Sequence, residues 1–233
     1  MRSHKRSEAY NMDSVWDGIT RAETLNEWAA SARSVLADAA KKYDWPRVFD
    51  ILSQHPKFIN SCRPGGESLY APLHQAAHGG APVEVVHRLL GMGAWRTLRN
   101  ARGERPVDIA AGMRHADLLP VLEPVYKRQV AGSILLKIQG HFHAVIRERA
   151  DCFVQEHALR LPELEPFLES EVSKMWFAVP GMYGGFSFWL ETSGSEAQLI
   201  SESLCRIVGG SGQRHVITSS GSNLVAEGFD LPG

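Results

Sequence analysis

Apolar positions recur at helical spacing through the first two thirds of the chain and then give way to short alternating runs. Leu25, Trp28, Ala29, Ala32 and Leu36 share one face of a helix predicted over residues 22–40, and residues 46–54 predict a second. Val85, Val86, Leu89 and Leu90 fall at i, i+1, i+4 and i+5, one apolar stripe that needs a covering surface. Ile134, Leu135, Ile138, Phe142, Val145, Ile146, Ala150, Phe153 and Val154 keep to one broad face and predict a long helix over residues 130–157. Leu161-Pro162 ends it, and residues 163–172 predict one short helix more. Beyond Lys174 the pattern predicts strands at 175–179, 186–191, 204–208, 215–218 and 224–229, with a helix as the other reading of 198–203. Turn signals stand between them: Pro180-Gly181, Gly184-Gly185, the Gly209–Gly212 run and Ser219–Ser222.

A period of 34 links Pro72 to Pro106 and His74 to Asp108 (106 − 72 and 108 − 74). Within it run Ala71-Pro72-Leu73-His74, the Ala76-Ala77 pair, the apolar stripe and Gly93-Ala94. Each proline suits the first position of a helix, where its missing N–H costs nothing. The alanine pair lets two helices approach closely, and Gly93 suits a helix end. This segment resembles the ankyrin repeat over about residues 35–126, with a degenerate copy before it and a partial one after. The resemblance implies a mainly helical first two thirds: a short ankyrin-repeat stack capped by helices, plus a small β-rich C-terminal subdomain, α+β overall. The expected organisation is an N-terminal arm (1–21), the stack with its capping helix (22–126), a long capping helix and a short one (127–173), and a Gly- and aromatic-rich β subdomain (174–233). That tail is similar to tails of uncharacterised bacterial ankyrin-repeat proteins. His74 stands where the family places a histidine with structural hydrogen bonds.

Charge divides the chain. Of 25 basic and 26 acidic side chains, residues 163–233 hold 3 and 9, leaving 22 and 17 in residues 1–162. Neither imbalance points to nucleic acid as the main partner. No apolar run is long enough for a membrane span, and none follows the basic N-terminus, so a cytoplasmic protein is expected. Cys62, Cys152 and Cys205 are odd in number and scattered, which predicts buried, reduced thiols rather than a disulfide framework or a zinc site. His141 and His143 are two apart, not the i, i+4 of a helical metal pair, so no metal and no cofactor are expected.

Two groups of residues carry candidate chemistry. Trp95, Arg96, Arg99, Arg102 and Arg105 cluster in a predicted loop. Tryptophan with clustered arginine is the composition of binding hot spots, and arginine pairs bidentately with carboxylates. The family resemblance places this loop among the fingers that grip a partner, so a protein with an acidic surface is the expected partner. The chain's own Glu163, Glu165, Glu169 and Glu171 are the rival occupants. The second group is Gly209, Gly210, Ser211, Gly212, Arg214 and His215, a glycine-rich anion nest in prospect, with Trp176 and Tyr183 as aromatic walls of a ligand pocket. No nucleophile elbow and no P-loop is present in this segment.

The function these observations predict is non-enzymatic protein–protein interaction through the fingers and concave face, in the manner of an immunity or antitoxin partner. A ligand-binding or catalytic C-terminal subdomain with the repeats as targeting module is a second reading. A structural adaptor or oligomer subunit is a third.

Overall fold

The structure is a computed structural model that describes residues 14–193, 196–206 and 210–228. Its first part is a run of short helices: α1 (Glu27–Lys41), α2 (Trp45–Gln54), α3 (Pro72–Gly79), α4 (Val83–Gly91), α5 (Pro106–Gly112) and α6 (Leu119–Leu122). Local signals start them. The Asn26 side chain accepts from the N–H of Ala29, Asp44 accepts from Arg47, and Pro72 and Pro106 open α3 and α5. Gly80 ends α3 in the left-handed region at φ 60°. Ala76 and Ala77 are wholly buried, so α3 lies close to α1, α4 and α5. Leu36, Val48, Leu52, Leu73, Val86, Leu89, Ile109, Leu118 and Leu122 fill one helical core.

The second part is α7 (Gly132–Glu156), the four-residue α8 (Pro166–Glu169) and a mixed sheet of six strands. The strands are β1 (Ser14–Val15), β2 (Met175–Val179), β3 (Gly184–Ser193), β4 (Glu196–Cys205), β5 (Ser211–Thr218) and β6 (Gly221–Glu227). They lie side by side in chain order. β1 is parallel to β2, and every later pair is antiparallel. Alternation sends Met175, Phe177, Val179, Phe186, Phe188, Leu190, Leu199 and Ile217 to one face, which α7 and α8 cover. Phe142 of α7 meets Phe188 at 4.9 Å and Phe186 at 6.4 Å between ring centres, and Phe167 of α8 meets Phe188 at 5.6 Å. The close pairing of β2, β3 and β4 requires glycine at two points. A Cβ on Gly184 would lie 1.8 Å from the Leu204 carbonyl oxygen, and one on Gly185 would lie 2.1 Å from that of Phe177.

This architecture corrects the expected fold class. The chain folds as helices followed by a six-stranded sheet, and it is not clearly an ankyrin stack with caps and a small β appendage. The expected repeats shrink along the chain, α5 having seven residues and α6 four. The long helix does not cap the helical core: its buried face belongs to the sheet's core. The sheet also recruits β1 from the N-terminal arm, and Trp16, Ala71, Trp95 and Leu98 are buried in the sheet-side core. Residues 198–203 are strand, within β4, and not helix. Cys62 is buried, whereas Cys152 is exposed, contrary to the expectation for all three thiols.

Candidate functional site

The loop predicted to grip a partner is built by Asn60 and Asn100. Asn60 accepts from the Trp95 N–H and donates to the Gly93 carbonyl. Asn100 accepts from the N–H groups of Arg102 and Glu104 and donates to the Glu104 carboxylate. Trp95 is not an exposed anchor. It is 7% exposed and stacked on Trp16, the rings 5.8 Å apart and 8° from parallel. Arg96 points its Nε at the Val121 carbonyl, 2.9 Å away. Arg102 stands exposed in the turn after Asn100.

Arg99 and Arg105 converge on one carboxylate of the chain's own acidic segment. Arg99 Nη2 lies 2.9 Å from Glu165 Oε2, and Arg105 pairs with Glu165 Oε1. Tyr126 donates to the same Oε1 at 2.6 Å. Burial, then the Glu165 contact, push the Tyr126 phenol up to about 12. Glu163 accepts from Arg160 and from the Arg99 N–H. Glu169 accepts from the N–H groups of Arg96 and Thr97 and from the Thr97 hydroxyl. Burial raises the Glu169 carboxyl's pKa, and those three donors work against the rise. Glu171 instead pairs with Lys127. The acidic segment named as rival occupant is therefore the one this structure places on the finger.

Between the finger, the segment after α6, α7 from Gly132 to Arg147 and the loop before α8 lies a cleft of about 670 Å³. Its charged lining is four arginines (Arg99, Arg105, Arg128 and Arg147) against two glutamates, Glu163 and Glu165. Leu135, Leu159, Leu161 and Leu168 give it apolar walls, and Leu136 stands on α7 at 67% exposure. His143 bonds through Nε2 to the Pro162 carbonyl at 2.8 Å, so that nitrogen carries the proton. Burial lowers the His143 pKa and keeps it neutral. Gln139 holds the Leu164 N–H, fixing the loop that brings Glu163 and Glu165 in. Sequence reasoning reached Arg99 and Arg105 and missed Tyr126, Arg128, Arg147 and Leu136. One signal was available: Leu136 is an aliphatic residue beside the buried Leu135 and off the apolar stripe of α7.

The described residues of the second predicted group do not form one pocket. Gly209 lies outside the described residues. Ser211 and His215 face α7, while Arg214 is on the opposite face of the sheet, where it pairs with Glu202. Trp176 is on that opposite face too, and Tyr183 sits in the β2–β3 turn, 77% exposed. Gly212 accepts through its carbonyl from the Gly228 N–H, closing β5 on β6. Gly210 has a φ of 57°, and Arg214 lies on the face of β5 away from Ser211 and His215. Among the described residues no group of three or more His, Cys, Asp or Glu side chains is placed to hold a metal ion. No described helix is long and apolar enough to cross a membrane.

No protein-family model matches the chain, and no curated protein matches it. Among solved structures it is similar to a chain in the complex of a predatory endopeptidase from Bdellovibrio bacteriovorus with an immunity protein. The identity is 20%, the TM-score is 0.34, and the match covers 52% of this chain and 66% of that one. The chain thus spans just under two thirds of that neighbour's length. A likeness this distant assigns neither fold nor role.

Proposed function

We propose that this chain is a non-enzymatic protein-binding module and that the cleft between the finger and α7 receives an acidic, apolar-anchored segment of a partner protein. The observation that carries the reading is the composition of the cleft: four arginines against two glutamates around leucine walls, with Leu136 exposed on α7. Apolar walls with a few convergent polar groups are the general form of a recognition pocket, and its volume falls in the usual range of about 300–1,000 Å³. Among the described residues Arg128 donates to the carbonyls of Val172 and Leu190 and pairs with no carboxylate. An incoming carboxylate meets a guanidinium with bidentate capacity. The reading is of binding rather than turnover because Glu165 and His143 are already engaged by protein partners. In its finer form the proposal is a neutralising partner of the immunity or antitoxin type, held one-to-one with its target.

A random peptide display library panned on the full chain tests it. Enriched peptides should combine Asp or Glu with a large apolar side chain, and Leu136→Glu or Arg147→Glu should abolish the enrichment. Enrichment without acidic residues, no enrichment, or enrichment unchanged by both substitutions counts against the proposal.

A further inference from the structure

We propose that a buried polar patch between α7 and the inner face of β4 and β5 binds a small oxyanion, at a site separate from the cleft.

The register of the sheet builds the patch. Leu199, Ser201, Ser203 and Cys205 alternate on the α7-facing side of β4, opposite Ile217, His215, Gln213 and Ser211 of β5. At the Leu199–Ile217 end this surface is purely apolar. At the other end it is polar, although it lies beside Phe188 and Phe186 of β3, which are Cα partners of Ser201 and Ser203. Ser201 is 1% exposed and Ser203 is 2% exposed, and the hydroxyl of neither has a hydrogen-bond partner among the described residues. Buried polar atoms without partners are rare in folded chains, and two on one face of one strand are rarer still.

From the other side α7 contributes Arg149. Its Nη2 donates to the Ser211 hydroxyl at 2.5 Å, while its Nε is buried and has no partner among the described residues. The helix leaves helical geometry at the next residue, Ala150, with φ −148° and ψ 23°, and no proline or glycine is near enough to explain the break. His215 stands opposite Ser201, its pKa lowered chiefly by burial; the neighbouring Glu148, which opposes that shift, is exposed at the rim.

The chemistry of the unmet groups selects the ligand class. A guanidinium Nε–H is a donor only, and the two serine hydroxyls on the same α7-facing side of β4 can donate as well. The complementary partner is small, has several acceptor oxygens and carries negative charge. A neutral sugar or an amine would add donors to a site already rich in them.

The test is thermal melting of the full chain in sodium phosphate, sodium sulfate, sodium acetate or phenyl phosphate, each against sodium chloride at equal ionic strength. A saturable rise in Tm is expected with at least one of the oxyanions. Saturation by phenyl phosphate as well as phosphate assigns the source to a phosphoryl group on a larger molecule; phosphate or sulfate alone assigns it to the free ion. In the Ser201→Ala/Ser203→Ala double variant the apparent affinity should fall at least tenfold, and in Arg149→Gln the saturable rise should vanish. The double variant removes buried hydroxyls that bond nothing among the described residues, so in chloride it should melt at or above the temperature of the parent chain, and it carries the test if Arg149→Gln fails to fold. The proposal is overturned if no oxyanion gives a saturable rise, or if the double variant retains the parent affinity.

Discussion

His74 couples the helical core to the finger, and its removal gives the sharpest energetic prediction. The ring is fully buried. Its Nδ1 accepts from the Ala71 N–H at 3.2 Å, and its Nε2–H donates to the Leu98 carbonyl at 3.0 Å, one residue before Arg99. Only a neutral ring protonated at Nε2 satisfies both partners. Burial first, then the Arg160 charge, lower its pKa to about 3, against a partial opposing effect of the Leu98 carbonyl. His74→Ala leaves a buried N–H and a buried carbonyl unpaired, about 1–3 kcal/mol each. With the void left behind, the total is about 3–5 kcal/mol. Because the folded-state pKa is depressed, the unfolded chain takes up a proton that the folded chain refuses. The stabilisation is complete above an unfolded pKa of about 6.5 and is lost as pH falls towards 3, by about 1.4 kcal/mol per unit. The stability gap between the parent chain and His74→Ala should therefore narrow by about 2 kcal/mol between pH 7.5 and 5.0. Urea unfolding at those two pH values measures it. His143 is lowered in the same sense but is present in both proteins, so the difference isolates His74. A gap independent of pH, or below about 1 kcal/mol at pH 7.5, would refute the reasoning.

Three further outcomes are expected. Glu165→Gln should let the Tyr126 phenol titrate nearer its ordinary value and destabilise the chain by about 1–3 kcal/mol; phenolate absorbance against the same variant carrying Tyr126→Phe, with urea unfolding, checks both. Trp95→Ala should cost about 3–5 kcal/mol, because it unstacks Trp16 and opens the core; denaturant unfolding reads it, and a neutral result would return Trp95 to the surface. Gly185→Ala should cost about 1–3 kcal/mol or more by forcing β2 from β3, seen as faster amide exchange across Met175–Val179.

The sequence exposes the periodic elements and conceals what covers them. The apolar face of α7 is readable residue by residue, yet periodicity alone does not say whether that face meets a helical stack or a sheet. Both answers bury Ile138 and Phe142 equally. The β4 strand is obscure because adjacent Leu199 and Ile200 are both buried, one on each face, which erases the alternation a half-exposed strand shows. The finger's arginines are plain in the sequence, and so is the acidic segment. Their meeting at Glu165 spans 66 residues from Arg99, a separation no local pattern reports. Ser201 and Ser203 look like ordinary strand serines until the register sets them on the buried, α7-facing side of β4.

The central claim is that the cleft binds a protein segment through its guanidinium groups and its leucine rim. Fluorescence anisotropy with a labelled acidic peptide taken from the display selection measures this directly on the parent chain, Leu136→Glu and Arg147→Glu. The account predicts saturable binding that weakens with added salt and at least tenfold loss in each variant. Equal affinity for all three chains would contradict it.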